Sequence, residues 1–313
     1  MRRCSDNVKE GFVDVNAVPT KITCFGKWLN QLDENEEIVV FITGNPGING
    51  FYKEFVETVH RKLGRTAWMI GHAGHNHPPE GSGKTIPKLS KDNKELFGLE
   101  GQIQHKIDFF KNYVPKRARV HLIGHSIGSY LIVRILEHPA VKPKVIDVNL
   151  LFPTIEHFAL STNGQFLSYY VPRITWLIIA ITWIFTCLPY LIQNLFLSIF
   201  FVLSGISASQ HRENVRECLD PEKLRKVYFL ASECLKNVKE RNDKVFKENS
   251  DKISICYGIH DGFTDNVDPR IVSESVPGLR VHVWSYDHVF VLKQSRLVGQ
   301  LVAEFIEDRI KTL

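Results

Sequence analysis

The spacing of apolar residues changes several times along the chain. After a polar start, ITCFGKWL (22–29) and EIVVFITG (37–44) are dense in β-branched and aromatic residues and bounded by Asp, Asn and Gly, which predicts two strands. FYKEFVETVHRKLG (51–64) instead sets Phe51, Phe55, Val59 and Leu63 four apart, one apolar face of a helix. RTAWMIGHAG (65–74) returns to strand, a polar loop rich in Pro, Gly and Lys (77–92) follows, and a helix is predicted near 99–113 before the strand RVHLIGH. VIDVNLLFP (145–153), ISICYG (253–258) and RVHVWSY (280–286) add three strands, and QSRLVGQLVAEFIEDRIK supplies a closing helix. Strands that are apolar throughout and alternate with helices predict an α/β fold, a mostly parallel central sheet covered by helices on both faces.

The alternation breaks between 154 and 250. A compact sheet does not need a connection that long, so this stretch reads as a cap inserted into a single α/β domain spanning 1–313. Its middle, ITWLIIAITWIFTCLPYLIQNLFLSIFFVL (174–203), contains no charged residue. One spanning helix needs about 20 continuous apolar residues, and Pro189 divides the stretch into shorter arms. The pattern predicts a long apolar insertion carrying a membrane or droplet hairpin at about 169–205, two half-depth helices that enter and leave one leaflet. Tyr169, Tyr170, Arg173, Trp176 and Trp183 are expected as interfacial groups around its entry side. A true span and an apolar lid over the site are the competing readings.

Composition narrows the class. At 313 residues and 44% apolar content the chain can bury a full core. The net charge of +5, from 39 basic and 34 acidic residues, is too small and too scattered for a nucleic-acid surface, though compatible with a basic edge facing a membrane. Six cysteines without a CxxC pair fit thiols in a reducing compartment. MRRCSDNVKEGFVDVN has early positive charge but no apolar core of a signal peptide, so the folded part is expected to face the cytosol.

The chemistry concentrates at LIGHSIGSY (122–130), where an apolar strand ends and a helical pattern begins. GxSxG alone is a weak signal, but strand, turn and helix in that order define a nucleophile elbow. Gly124 and Gly128 keep bulk away from the sharp turn, Ser126 is the candidate nucleophile, and the amide of Ile127 would face a developing oxyanion. A serine hydroxyl requires a base, and His288, directly after RVHVWSY and before the last helix, is placed for it; His260 inside GIHDG reads as a loop residue. For the acid that fixes the imidazole tautomer, Asp261 follows ISICYG and gives the order serine, acid, histidine, with Asp265, Asp268 and Glu156 as alternatives. Asp287 is disfavoured because adjacent residues on extended chain point opposite ways. TGNPGINGFY (43–52) supplies the loop for a second oxyanion donor, and since Pro46 has no N–H the amide of Asn45 is the choice. His72, His75 and His77 in HAGHNH cluster without a carboxylate or thiol at ligand spacing, so no metal and no organic cofactor is expected.

Taken together, GNPG followed by FY, the GHAGH segment, LEGQIQHKIDFF, the elbow LIGHSIGSY and LLFPTIE resemble the lipid droplet-associated hydrolase family of α/β-hydrolases. These motifs cover about 40 to 156, and the order of elements extends the match to His288. The resemblance implies a serine hydrolase fold, association with the lipid droplet monolayer, its neutral lipid and the endoplasmic reticulum membrane, and a lipid ester substrate, sterol esters among them. It carries the nucleophile to Ser126, the acid to Asp261 and the base to His288. Two functions follow as expectations: a serine esterase acting on hydrophobic acyl esters at a droplet surface, or a droplet-coating or tethering protein on a hydrolase scaffold with little turnover. Acyl transfer to an alcohol other than water would use the same residues.

Overall fold

The computed structural model describes residues 8–311. In chain order its principal elements are β1 (Val8–Val15), β2 (Val18–Phe25), β3 (Glu37–Ile42), α1 (Lys53–Leu63), β4 (Ala67–Ile70), α2 (Leu99–Asn112), β5 (Arg119–His125), α3 (Ile127–Ile135) and β6 (Val145–Leu151). Six helices follow before the sheet resumes: α4 (Thr162–Tyr169), α5 (Val171–Cys187), α6 (Tyr190–Ser204), α7 (Ala208–Cys218), α8 (Pro221–Asn237) and α9 (Asp243–Glu248). The chain closes with β7 (Ile253–Gly258), α10 (Pro269–Ser275), β8 (Arg280–Trp284) and α11 (Ser295–Ile310).

The strands form one eight-stranded sheet in the order β1-β2-β4-β3-β5-β6-β7-β8. From β4 to β8 every neighbouring pair is parallel, while β1–β2 and β2–β4 are antiparallel. Alternation along each strand feeds two cores. Val39 and Phe41 of β3 pack with Phe55 and Val59 of α1 and Val298 and Val302 of α11. Ile38, Val40 and Ile42 face the other way, toward Phe109 of α2 and Leu131 and Ile132 of α3. Such a doubly covered sheet leaves the carboxyl ends of its central strands as the natural crevice for a site.

The start of the chain differs from the sequence reading. The strand predicted at 22–29 lies at 18–25, and the polar start forms β1, its hairpin partner, in register from Val8–Phe25 to Val15–Val18. The connecting residues Asn16 and Ala17 both have positive φ, the conformation a two-residue hairpin requires. The 3-10 turn at Asn49–Tyr52 also delays the first helix to Lys53.

In the insertion, the apolar stretch divides at Leu188–Pro189 as the proline requires, and among the described residues no single helix is long and apolar enough to cross a membrane. α5 packs against α8 and α6 against α7; neither arm packs its length against the other. Trp183 lies toward the Pro189 end of α5, which moves it away from the entry side where the sequence suggested it.

Candidate active site

β5 delivers Ser126 at its carboxyl end, and α3 begins at the next residue. The turn holds Ser126 at φ 54°, ψ −122°, a region L-residues rarely adopt and a recurrent feature of strained functional turns. Close approach, rather than φ, explains the flanking glycines. A Cβ on Gly128 would lie 2.4 Å from the Ile42 carbonyl oxygen, and one on Gly124 would lie 2.8 Å from the Ser129 nitrogen. Larger residues at either position would force the turn away from β3 or open the first turn of α3.

His288 and Asp261 come from the loops after β8 and β7. His288 Nε2 is 3.0 Å from Ser126 Oγ, and its Nδ1 is 2.7 Å from Asp261 Oδ2. The carboxylate can only accept, so Nδ1 carries the proton and Nε2 is left to accept the serine proton. Asp261 is 2% exposed, and its second oxygen accepts the Phe263 amide at 2.9 Å, which fixes the carboxylate plane. The alternative acids are engaged elsewhere: Glu156 pairs with Arg241 at 3.2 Å, Asp265 accepts the Thr162 amide, and Asp268 accepts the Arg270 amide at the start of α10. His260 and Asp287 are exposed.

Two residues that sequence reasoning gave no role hold this geometry. His125, inside the elbow motif, directs Nε2 at the His288 carbonyl oxygen (2.9 Å) and Nδ1 at the Tyr52 hydroxyl (2.8 Å), which in turn receives the Gly44 amide (3.1 Å). A carbonyl can only accept, so Nε2–H is the donor and Nδ1 accepts from Tyr52. Burial, reinforced by the charge of His288, holds the His125 pKa well below the ordinary range and keeps the ring neutral. The chain Gly44–Tyr52–His125–His288 thus ties the loop after β3, the elbow and the His288 loop into one unit. The signal was available in the histidine of GHSIG and the FY after GNPG.

The HAGHN segment braces the same loop. His75 Nδ1–H donates to the Pro46 carbonyl at 2.7 Å, Asn76 donates to the Gly47 carbonyl at 2.9 Å, and the Asn49 amide donates to Asn76. Burial depresses the His75 pKa to about 3, so it acts as a neutral donor. His77 stands apart, half-exposed, 3.8 Å from Asp220.

Above Ser126 lies a cavity of about 440 Å³, within the ordinary range for small-molecule sites. Asn45 and Ile127 line it beside the serine, and its walls are mainly apolar: Ile48, Phe51, Phe158, Leu167, Val291 and Leu292. α8 forms the roof through Leu224, Val227, Tyr228 and Ala231, and the Asn45 side chain donates to the Val227 carbonyl at 3.1 Å. No residue of α5 or α6 lines it, so the lid over the serine is made by other helices of the insertion.

A parallel sheet with an elbow at the end of a central strand and a roofed apolar cavity above it defines an α/β-hydrolase. Solved structures agree on the fold. Epoxide hydrolase VrEH1 from Vigna radiata superposes with a TM-score of 0.62 at 13% identity, covering 97% of this chain and 99% of that one. Haloalkane dehalogenase DbeA from Bradyrhizobium elkani gives 0.63 at 13% identity, with 98% and 100% covered. Within that class the chain belongs to the lipid-droplet associated hydrolase family, whose model matches residues 35–291. Relatives named lipid droplet-associated hydrolase are 34% identical in Drosophila melanogaster (96% of this chain and 99% of the relative covered), 29% in Rattus norvegicus (97% and 96%) and 28% in Homo sapiens (98% and 97%).

Proposed function

We propose that the protein is a serine esterase that hydrolyses hydrophobic lipid esters at the surface of lipid droplets or the cytosolic face of the endoplasmic reticulum. The observation that carries this reading is the continuous relay from Asp261 through His288 to Ser126, at 2.7 and 3.0 Å, opening into an apolar cavity. Ser126 Oγ attacks the ester carbonyl as His288 Nε2 takes its proton, and Asp261 holds the imidazolium in register. The amides of Asn45 and Ile127 receive the oxyanion, Ile127 as the first residue of α3 with its N–H free of the helix ladder. His288 then protonates the departing alcohol, and water activated by the same nitrogen releases the acid. Every proton step uses groups of this chain.

Cavity size bears on the substrate. At about 440 Å³ the cavity falls in the range of small-molecule sites, and its mainly apolar lining suits an acyl chain. The exposed apolar faces of α5 and α6 supply the contact with lipid.

The test is hydrolysis of a graded series of acyl esters, in solution and as an emulsion, by the intact protein and by His288→Ala. Turnover of emulsified esters that falls by about 10³-fold or more in the variant supports the reading. Release of acid no faster than in the variant would leave a droplet-coating scaffold as the function.

A further inference from the structure

We propose that α5 and α6 lie flat in the lipid surface, embedded side-on, with the turn at Leu188–Pro189 no deeper than the outer ends of the two helices. The inference rests on the reading of this protein as one that works on a lipid surface, and adds how it sits there.

Polarity is the first ground. α6 turns its polar side chains toward the protein and its apolar ones away from it. Gln193 and Asn194 receive Arg216 at 2.8 and 2.6 Å, and Ser198 receives Arg212 at 3.1 Å. The opposite side shows Leu191, Leu195, Phe196, Ile199, Val202 and Leu203, each between 49% and 81% exposed. α5 behaves alike: Thr182 is buried, while Leu177, Ile181 and Ile184 are exposed. A helix in water would reverse this, so the medium outside both helices is apolar along their whole length.

The turn supplies the second ground. Phe185 and Thr186, just before it, and Gln193, just after it, share a cleft of about 320 Å³ with Arg216, Glu217 and Lys223. Arg216 also lies over the Tyr190 ring, 4.5 Å from its centroid, at the first residue of α6. The turn is thus fastened to a charged part of the cap. Inserting it first would carry these ionisable groups to membrane depth, where each costs kilocalories.

The third ground is the placement of interfacial aromatics. Tyr169, Trp176, Trp183 and Tyr190 recur every seven residues and are all exposed, from 56% at Tyr169 to 69% at Trp176. Seven residues bring a helix back to within about 20° of its starting direction, so Trp176 and Trp183 share one line along α5. Trp and Tyr settle at the boundary between headgroups and hydrocarbon. A boundary marked by both indoles, seven residues apart on one line of α5, runs parallel to its axis. With α5 packed on α8, the lipid surface then lies against the same cap that roofs Ser126.

The experiment uses the full chain bound to phosphatidylcholine vesicles whose acyl chains carry bromine at a shallow or a deep carbon. Tryptophan fluorescence of the parent minus that of Trp176→Phe, or of Trp183→Phe, isolates each indole's quenching, and both replacements are at exposed positions. Flat embedding predicts that the two indoles are quenched most by the same, shallow bromine. Turn-first insertion would set them about 10 Å apart in depth, seven residues at 1.5 Å each, with Trp183 quenched most by the deep bromine, and would overturn the proposal. Bound protein with neither indole quenched would also overturn it while leaving a lipid-surface enzyme intact. Failure to bind vesicles at all would remove both the orientation and the lipid-surface reading on which it rests.

Discussion

Tyr52→Phe removes one oxygen from the chain that links the loop after β3 to His288. The ring keeps its packing against Phe41, 4.9 Å between centroids, so the change isolates the hydroxyl. Burial holds the phenol protonated, which makes it a donor to His125 Nδ1 and an acceptor for the Gly44 amide. Its loss orphans both, and both are buried beneath the cavity floor. At about 1–3 kcal/mol for each unsatisfied buried group, the two together destabilise by about 2–4 kcal/mol after partial relaxation. The functional consequence runs through His125, whose Nε2–H holds the His288 backbone at 2.9 Å. Without a donor at Nδ1 the imidazole loses its preference for the Nε2–H tautomer, and the anchor on His288 weakens. Urea unfolding followed by circular dichroism reads the first effect, and kcat against KM on a short water-soluble ester reads the second. The account predicts a lower midpoint with unchanged m-value, and a fall in kcat larger than any change in KM. A midpoint corresponding to less than 0.5 kcal/mol of loss, set as roughly the ordinary surface-substitution effect, would refute the linkage.

Asp261→Asn is expected to lower the rate of ester turnover by about 10⁴-fold by presenting the wrong tautomer of His288, while Glu156→Gln, whose parent carboxylate is bound to Arg241, leaves kcat within a few-fold; a larger loss in the second variant would reassign the acid. Toward the amino ends of the central strands β3, β5 and β6, His121 Nε2 is 2.9 Å from Glu37 and Nδ1 3.4 Å from Asp147, and although burial opposes its charge the two carboxylates raise its pKa. Its stabilisation is therefore complete below about pH 6.5, the unfolded value, and is lost as pH rises through the higher folded value. The paired Glu37 carboxyl, held down to about 2 first by the His121 bond, loses its contribution only as pH falls from about 4.5 toward 2. Thermal midpoints measured from pH 6 to 9 should decline with a component that His121→Gln abolishes; an identical slope in the variant would contradict this. Replacing Leu177, Ile181, Leu195 and Ile199 by Asp, all on exposed faces, should leave a folded protein by circular dichroism that no longer floats with droplets, and droplet retention by the folded variant would exclude these helices as the anchor.

Much of the layout could be read from the sequence because apolar periodicity is strong where a strand is covered on both sides. ISICYG lies wholly in a strand as predicted, and RVHLIGH ends at the residue before Ser126, as the elbow requires. β1 escaped because it is an edge strand: Lys9, Glu10, Gly11 and Asp14 interrupt its apolar residues, and its turn is Asn-Ala rather than the more telling Asn-Gly. The serine, acid and histidine could be chosen by position after their strands, but ranking the acids needed partners such as Arg241 that lie far off in sequence. The same limit applies to α6. Its uncharged composition was evident, whereas the inward direction of Gln193, Asn194 and Ser198 depends on Arg212 and Arg216 of the next helix.

Labelling with a fluorophosphonate, followed by peptide mass mapping of the intact protein, tests the central claim most directly, because only a serine activated by its base is phosphonylated at an appreciable rate. The account predicts a single adduct on Ser126, lost in Ser126→Ala and slowed several hundredfold or more in His288→Ala, with unfolding midpoints near that of the parent. An adduct on another serine, or labelling of the parent no faster than of Ser126→Ala, would contradict it.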